Sequence, residues 1–366
     1  MRYLFIVQGE GRGHMTQAIA LAAMLRRNGH EVVEALVGCS RQRKIPDFFY
    51  QRIGCRVRRY QSPNFCFGKK KKKVSLAKSI LANLTVGRLR KLKKSIELIH
   101  RRIEKVKPDA VVNFYEILAG LANLRFREQA PFVSIAHQFL VRHPDFGCGR
   151  GSEQGKMWLR LNALLCCIGS AKTLALSFYP LREMPCDRLA VVPPPLRPEV
   201  LSLEPVREEF LLVYLLNSGY AEEVKRWHKR HPEQRLHVFW DKKEAPQELH
   251  EGRNLTFHRI DDRKFLALMA RCRGYVTTAG FESLCEAMYL DKPAMMIPAH
   301  IEQQLNAADA ERAGAGIASP SFDFDRFLRY LREEKNREGE KAPDETFRAW
   351  VGQAEELFVR HLTTLA

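Results

Sequence analysis

The sequence lacks several features that define other classes of protein. Its nine cysteines are irregularly spaced, and no two stand at the CxxC spacing of zinc or thiol redox motifs. No apolar run reaches the roughly 18 residues that a membrane-spanning helix needs. The N-terminus MRYLFIV lacks the pattern of a cleavable signal peptide. We therefore expect a cytoplasmic protein in a reducing compartment, with no structural zinc site.

Acidic residues are scarce in one part of the chain. Residues 41–107 hold 22 Lys and Arg but only 3 Asp and Glu, a net charge of +19, whereas the whole chain carries +18. The rest of the chain is close to neutral, which argues against a uniformly basic nucleic-acid binder. Because no nucleic-acid motif accompanies the charge, we expect no nucleic-acid partner.

The basic segment combines cations with apolar residues at roughly helical spacing. It begins with Lys69–Lys73, and apolar residues then recur among further cations: Leu76, Ile80, Leu81, Leu84, Leu89, Leu92, Ile96 and Ile99. A basic amphipathic stretch suits an anionic membrane surface. Segment 69–107 thus predicts a membrane contact, with the protein peripheral on the inner face. The alternative is an ordinary helix packed on a domain, with a solvated basic face.

Strands and helices alternate along the chain, in two series. With 366 residues, 45% of them hydrophobic, two domains are expected. Each series predicts a parallel sheet covered by helices, so the fold class is α/β with two doubly wound, Rossmann-like domains. Between them, VVPPPLRPEVLSLEP (191–205) has five prolines, which exclude a helix or a sheet interior.

The two strand–helix series and the proline-rich stretch between them predict that the chain has four parts. Residues 1–195 form an N-terminal domain and 196–205 a linker. Residues 206–345 form a C-terminal domain, and 346–366 form a helix that packs back on the N-terminal domain. Tandem α/β domains place a cleft between the C-terminal edges of their strands, where such sheets bind ligands.

A glycine-rich loop, Gly9-Glu-Gly-Arg-Gly-His14, follows the first strand. It fails the dinucleotide fingerprint, because His14 stands at the third glycine position and no acidic residue ends the second strand. The loop therefore places a histidine at the N-terminus of a helix, facing the cleft. A neutral His14 there can act as a general base. The alternative is a residue that only hydrogen-bonds the loop.

A second constellation, Thr277-Thr-Ala-Gly-Phe-Glu-Ser-Leu-Cys-Glu286, joins a strand to a helix. Gly280 permits a tight turn, and the free N–H groups of the first helical residues then form a phosphate cradle. Glu286 can accept ribose hydroxyls. A third constellation follows the next strand, where Glu302, Gln303 and Gln304 can hold sugar hydroxyls or merely cap the helix.

The order of these motifs resembles the nucleotide-sugar half of GT-B glycosyltransferases. The matching patterns are (T/S)xxGxxS/TxxE, xGKPxxxIP and (E/D)QxxNA, and the N-terminal GxGRGH loop resembles the acceptor-side glycine loop. Within that group the chain resembles the peptidoglycan N-acetylglucosaminyltransferase and the UDP-glucuronosyltransferase-like enzymes. The resemblance covers nearly the whole chain and is strongest at 3–37 and 274–316.

The resemblance implies a role for individual residues. Donor contacts would come from one set: Asn217, Ser218, Gly219, Ile260, Thr278, Gly280, Phe281, Glu282, Ser283, Glu286, Glu302, Gln303 and Gln304. Among these, Ile260 would contact the base and Glu286 the ribose. The acceptor side would be formed by Gly11, Gly13, His137 and Gln138.

The sequence departs from the family pattern at three places. Asp291 precedes Lys292 where Gly is usual, which should only strain a turn. Gln17 replaces the Pro of GHxxP. Asn113 stands where many relatives have Asp, so Glu116 is the available carboxylate.

The expected reaction is transfer of a sugar from a UDP-sugar, UDP-N-acetylglucosamine being one option, to an acceptor hydroxyl. His14, with Glu116, would remove the proton. No DxD-type pair suits Mg²⁺, so we expect neither a metal nor a cofactor beyond the co-substrate. A lipid-linked or cell-envelope acceptor would agree with the basic segment. Two alternatives remain open: a UDP-N-acetylglucosamine 2-epimerase-like enzyme, and a non-catalytic protein that binds anionic lipid.

Overall fold

Two seven-stranded sheets form the framework of the molecule. The structure is a computed structural model that describes residues 1–41, 43–63, 86–147, 153–215, 218–242, 244–336 and 343–365. The first sheet has the order β3-β2-β1-β4-β5-β6-β7 and the second β10-β11-β9-β8-β12-β13-β14. The strands are β1 Arg2–Gln8, β2 Glu31–Cys39, β3 Arg56–Gln61, β4 Ala110–Phe114, β5 Phe132–Ala136, β6 Lys172–Leu176, β7 Leu189–Val192, β8 Phe210–Leu215, β9 Arg235–Trp240, β10 Glu248–His250, β11 Leu255–Arg259, β12 Gly274–Thr277, β13 Ala294–Met296 and β14 Gly316–Ala318.

Helices cover both faces of each sheet. They are α1 Gly13–Arg27, α2 Asp47–Arg52, α3 Val86–Val106, α4 Ile117–Phe126, α5 Glu153–Cys166, α6 Pro198–Leu201, α7 Ala221–His228, α8 Asp262–Arg271, α9 Phe281–Tyr289, α10 Ile301–Arg312, α11 Phe324–Asn336, α12 Pro343–Gly352 and α13 Ala354–Thr363. None of these described helices combines the length and apolar character required to cross a bilayer.

The two faces of β1 show why the sheet is a central layer. Tyr3, Phe5 and Val7 pack on the side of α1, whereas Leu4 and Ile6 pack with α3 and α4 on the other. A strand that is buried on both faces has a continuous apolar sequence, as YLFIV does. All described strand pairs are parallel except β10–β11. The predicted fold class, two Rossmann-like α/β domains, is therefore confirmed.

The structure corrects two details of the sequence interpretation. The proline-rich stretch 191–205 does contain a short helix, α6, because Pro198 occupies its first turn, where a missing N–H costs nothing. The C-terminal segment forms two helices, α12 and α13, which are separated at Gln353. Both contact the first domain: Trp350 Nε1 donates to the Ser177 carbonyl at 3.0 Å, and Tyr3 Oη donates to the Leu362 carbonyl at 3.1 Å.

The basic segment is described only in part. Lys69–Lys73 and the predicted apolar positions from Leu76 to Leu84 lie outside the described residues. The helix α3 begins at Val86, and its Ile99 and Ile103 are buried against the sheet. The described part is thus a helix packed on the domain with an exposed basic face.

Candidate active site between the two sheets

The turn between β12 and α9 exposes a helix N-terminus. Ala279 adopts a φ of +62°, a conformation that is strained for a residue with a side chain, and Asn306 Nδ2 supports it by donating to the Ala279 carbonyl at 3.2 Å. Gly280 is exposed, and a Cβ there would meet only Ser283 Oγ, at 3.7 Å. Because the first amides of a helix have no acceptor within it, this end can receive an anion.

His14 lies in the first turn of α1 with its ring enclosed. Its Nδ1 lies 3.2 Å from Gln17 Oε1, and its ring stacks on Tyr115 at 5.7 Å between centroids. Burial lowers the pKa of His14 below its usual value, although the hydrogen bond to Gln17 opposes the shift. An amide oxygen only accepts hydrogen bonds, so Nδ1 carries the proton and Nε2 presents a lone pair.

The orientation of Gln17 is set from the other domain. Gln17 Nε2 donates to Glu282 on α9, which turns Oε1 toward His14. Glu282 also packs on Gly13, where a Cβ would lie 2.9 Å from the Glu282 Cγ. Burial raises the pKa of Glu282 to about 8. The first turn of α1 and the first turn of α9 therefore meet at these residues.

His137 and Gln138 follow β5 and also contact the second domain. The His137 ring stacks on Phe281 at 3.9 Å, and its Nδ1 donates to the Leu176 carbonyl at 2.9 Å. Burial lowers the pKa of His137. Gln138 Nε2 donates to Glu302 Oε1 at 2.7 Å. These predicted acceptor-side residues therefore line the same boundary as His14.

Glu286, predicted to bind ribose, forms a buried ion pair. Arg197 donates to its Oε1 from Nε at 2.9 Å, and also extends Nη1 to Asp262 Oδ1 at 2.6 Å. Burial raises the pKa of Glu286, and Arg197 counters part of that shift. Among the described residues, no hydrogen bond reaches Glu286 Oε2. Oε2 is thus the oxygen left to accept the predicted ribose hydroxyls.

Glu116 has structural contacts. It is fully buried and caps α4, accepting hydrogen bonds from Ser62 Oγ at 2.8 Å and from the Leu118 N–H at 3.2 Å. Burial raises its pKa to about 7. Asn113 accepts from the Glu116 N–H at 2.9 Å. Among the described residues, no hydrogen bond joins Glu116 to His14, and the catalytic pairing of the two stays a prediction.

The remaining donor-side residues differ in their exposure. Gln303 is buried and accepts from the Ala299 N–H at 2.9 Å, whereas Gln304 is exposed. Thr278 is buried and Ile260 partly exposed at the end of β11. Asn217 lies outside the described residues. Ser218 and Gly219 begin a 3-10 helix after β8, and the side chain of Ser218 is not described.

Four residues of the site were missed by sequence reasoning. Tyr115 stacks on His14, Asn162 donates to Tyr115 Oη at 3.0 Å, and Arg197 holds Glu286. Gln17 appeared only as a departure from the family pattern. The sole sequence signal was the placement of Gln17 one turn after His14, which lets their side chains meet.

One described group of side chains has the composition of a metal site. It consists of His100, Glu104 and Glu128, on α3 and just after α4. These residues belong to the helical layer of the first domain and not to the cleft.

Known proteins resemble this chain in sequence family and in fold. The family model described as "Glycosyl transferase family 1" matches residues 1–333. No curated protein matches the sequence.

Solved structures share the whole architecture at low sequence identity. The glycotransferase of kitacinnamycin is 15% identical, with a TM-score of 0.65 and 98% of each chain covered. Spinosyn rhamnosyltransferase SpnG complexed with thymidine diphosphate is 16% identical, with a TM-score of 0.63 and 100% of both chains covered. UGT89C1 of Arabidopsis thaliana complexed with quercetin is 14% identical, with a TM-score of 0.61, covering 100% of this chain and 98% of its own. These matches confirm the GT-B fold.

Proposed function

Because this chain belongs to glycosyl transferase family 1, we propose that it transfers a sugar from a UDP-sugar to an acceptor hydroxyl, with His14 as general base. The observation that carries the proposal is the meeting of two helix N-termini. The first turn of α1, with His14, touches the first turn of α9, whose amides are suited to a diphosphate. Base and leaving-group site therefore lie on opposite sides of one boundary.

The proposed transfer exchanges one bond for another. The acceptor oxygen forms a bond to the anomeric carbon, the bond from that carbon to the diphosphate oxygen breaks, and UDP departs. His14 Nε2 takes the hydroxyl proton. It can do so because the lowered pKa of His14 keeps the ring neutral, with a free lone pair, at neutral pH. The α9 amides meet the negative charge that grows on the diphosphate. In this proposal they act in place of a metal ion, and no cofactor beyond the donor is required.

The donor residues follow from the resemblance and from the exposed turn. Gly280 and the amides of Phe281, Glu282 and Ser283 would hold the diphosphate, and Ile260 would contact the base. Glu286 Oε2 would accept one ribose hydroxyl while Arg197 holds Oε1. UDP-N-acetylglucosamine is the first donor to examine, because the motifs resemble those of the peptidoglycan N-acetylglucosaminyltransferase.

We propose a lipid-linked or cell-envelope acceptor, presented at the cytoplasmic face of a membrane. This part of the proposal is supported by the net charge of +19 in residues 41–107 and by the exposed cations of α3. A water-soluble acceptor does not require such a surface.

The test begins with the full-length protein and a panel of uridine and thymidine diphosphate sugars. We expect a UDP-sugar to raise the melting temperature and UDP to be released when a lipid extract is added. His14→Gln should keep donor affinity and lose about 10²–10⁴-fold in transfer rate. No binding of any nucleotide sugar would contradict the proposal, and release of an epimerised free sugar without an acceptor would point to an epimerase.

A further inference from the structure

Three helices lie side by side on one face of the first sheet. Helix α4 packs between α3 and α5. At the α4–α5 contact, a Cβ on Gly120 would lie 2.2 Å from the Leu165 carbonyl oxygen, so the two backbones approach closely. The outward side of α3, α4 and α5 is called the outer face below.

An apolar stripe runs along α5 on the outer face. Met157, Trp158, Leu161 and Leu164 are 61%, 37%, 43% and 50% exposed, and their spacing places them on one side of the helix. Leu124 on α4 and Leu89 on α3 are also exposed. Six of the ten large apolar side chains that are exposed among the described residues therefore lie on this layer. Such a concentration indicates a binding surface rather than scattered exposure.

Cations accompany the stripe. Arg90, Lys91, Lys93 and Lys94 are exposed on α3, and none forms an ion pair with a carboxylate that the structure describes. The only acidic residue of α5, Glu153, is paired with Lys156 at 2.9 Å. Although α3 also carries Glu97 and Glu104, the outer face thus has a net positive charge.

A cavity of about 350 Å³ lies beside the stripe. Leu164, Val141 and Phe146 give it apolar walls, and Arg142 and Arg160 give it two guanidinium groups. Among the described residues, Arg142 donates only to neutral groups, one of them the Asp187 carbonyl at 3.2 Å. A cavity that combines apolar side chains with two arginines matches the junction of an acyl chain and an anionic head group.

The outer face connects directly to the proposed base. Asn162 lies beside the stripe on α5 and donates to Tyr115 Oη at 3.0 Å, and the Tyr115 ring stacks on His14. Two side chains in series, Asn162 and Tyr115, therefore link α5 to His14.

We propose that the outer face docks on an anionic bilayer, with the α5 stripe inserted among the lipids and the α3 cations in the head-group layer. Trp, Met and Leu enter the interfacial region favourably, and each cation near anionic lipid adds about 1 kcal/mol. A second copy of the chain is a poorer occupant, because a two-fold contact through this face would bring like charges together. The consequence that the acceptor is lipid-linked rests on the proposed function, whereas the docking does not.

Trp158 gives a direct readout of insertion. The chain has four tryptophans, and the other three, Trp227, Trp240 and Trp350, are buried. With the full-length protein and vesicles of phosphatidylcholine and phosphatidylglycerol, we expect co-sedimentation at low salt and quenching of fluorescence by bromine-labelled lipid. Trp158→Phe should abolish most of the quenching while the protein still sediments. Vesicles of phosphatidylcholine alone should bind at least tenfold less protein.

Matched variants separate the stripe from the cations. Met157→Gln with Leu161→Gln should reduce vesicle binding at least tenfold at any salt concentration. Arg90→Gln with Lys93→Gln and Lys94→Gln should reduce it mainly at low salt, since exposed charges are screened over about 8 Å at physiological ionic strength. The control is Leu201→Gln with Val206→Gln, which removes two exposed apolar residues outside the outer face.

Three outcomes would overturn the docking proposal. They are a wild-type protein that stays in the supernatant at low salt, binding that the stripe variants leave unchanged, and a dimer in solution that Leu161→Gln dissociates. Melting temperatures of the variants identify any that fail to fold. The proposed function is read separately, from donor binding in the absence of vesicles and from UDP release with the lipid extract. Docking without any donor binding would refute the function alone, and transfer without docking would refute the surface alone.

Discussion

His14 shows how a single residue depends on its neighbours for its chemistry. Its proton sits on Nδ1 because the Gln17 oxygen opposite can only accept a hydrogen bond, and Gln17 is oriented by Glu282 from the second domain. The base is therefore positioned only when the two domains are in contact. Gln17 and Glu282 act through His14 and are positioning residues in the proposed reaction.

Exchanging the two positioning residues should move the pH dependence. In a Gln17→Glu, Glu282→Gln double variant a carboxylate faces Nδ1, and an opposite charge raises the pKa of an imidazole by about 1–3 units. Since burial holds the pKa of His14 below its usual value in the wild type, the acidic limb of kcat/KM should move to higher pH in the variant. Glu282→Gln alone is the control. An acidic limb at the same pH in the double variant would contradict the role of Gln17 and Glu282 as positioning residues for His14.

The burial of Glu116 should make the free energy of unfolding of the protein depend on pH. Its pKa is about 7 when folded and 4.5 in the reference state, with burial the main cause. A raised folded pKa gives stability that is present below pH 4.5 and is lost as the pH rises through 7. Between pH 4.5 and 8, wild type should lose about 2–4 kcal/mol relative to Glu116→Gln. Urea unfolding at several pH values measures this difference, and a constant difference would count against it.

At the scale of elements, the neighbouring strands β9 and β11 of the second sheet contain a histidine pair, in which His258 is buried and His237 is partly buried. His237 Nδ1 on β9 lies 2.9 Å from His258 Nε2 on β11, and the Phe239 ring stacks on His258 at 4.9 Å. Burial lowers the pKa of both histidines to about 4. The neutral rings are compatible with this aromatic packing, whereas two imidazolium ions would repel each other.

This pair should make the second sheet sensitive to acid. Because the folded pKa values lie below the usual 6.5, the unfolded chain binds protons first, and stability is lost as the pH falls from 6.5 toward 4. His258→Phe should reduce that loss by about 3 kcal/mol, since each pKa unit corresponds to 1.36 kcal/mol. Melting temperatures between pH 4 and 7 test this, with His250→Gln, an exposed histidine on β10, as control. Parallel curves for wild type and His258→Phe would exclude the pair as the cause.

At the scale of the whole molecule, the chain ends on the domain where it began. Helix α13 packs against α1 and β7, and Arg27 of α1 is hydrogen-bonded to Glu355. Arg197 in the linker and Arg52 in the first domain both pair with Asp262 in the second. The second domain is thus tied to the first through Asp262, and the helices that follow it pack back on the first domain.

Loss of the α13 contact should destabilise the first domain although the substitution lies at the far end of the sequence. Phe358 is fully buried, and Phe358→Ala should cost about 3–5 kcal/mol through lost burial and a residual cavity. The neighbouring Val359 is partly exposed, so Val359→Ala should cost much less. Guanidinium unfolding of the full-length variants gives both values, and equal values would show that the helix is not docked as described.

Local pattern determined much of this protein. The apolar runs and their spacing predicted the parallel strands, and the Gly280 turn marked the start of α9, because period and turn chemistry depend on neighbouring residues alone. The strained turn at Asp291 was also predicted from the sequence, and Asp291 takes a φ of +56° where the family has glycine. Edge strands such as β3, RVRRYQ, were missed because an arginine-rich strand lacks the apolar signal.

The contacts of the site were decided by the tertiary structure. Gln17 meets Glu282, Arg197 meets Glu286, and Ser62 meets Glu116 across 265, 89 and 54 positions of sequence. Each pairing sets a charge state or an orientation through burial, and burial is a property of the assembled domains that no local pattern carries. Glu116 illustrates the limit: the sequence marks a carboxylate near a strand end, but only the packing of Ser62 and α4 around it turns that carboxylate into a helix cap.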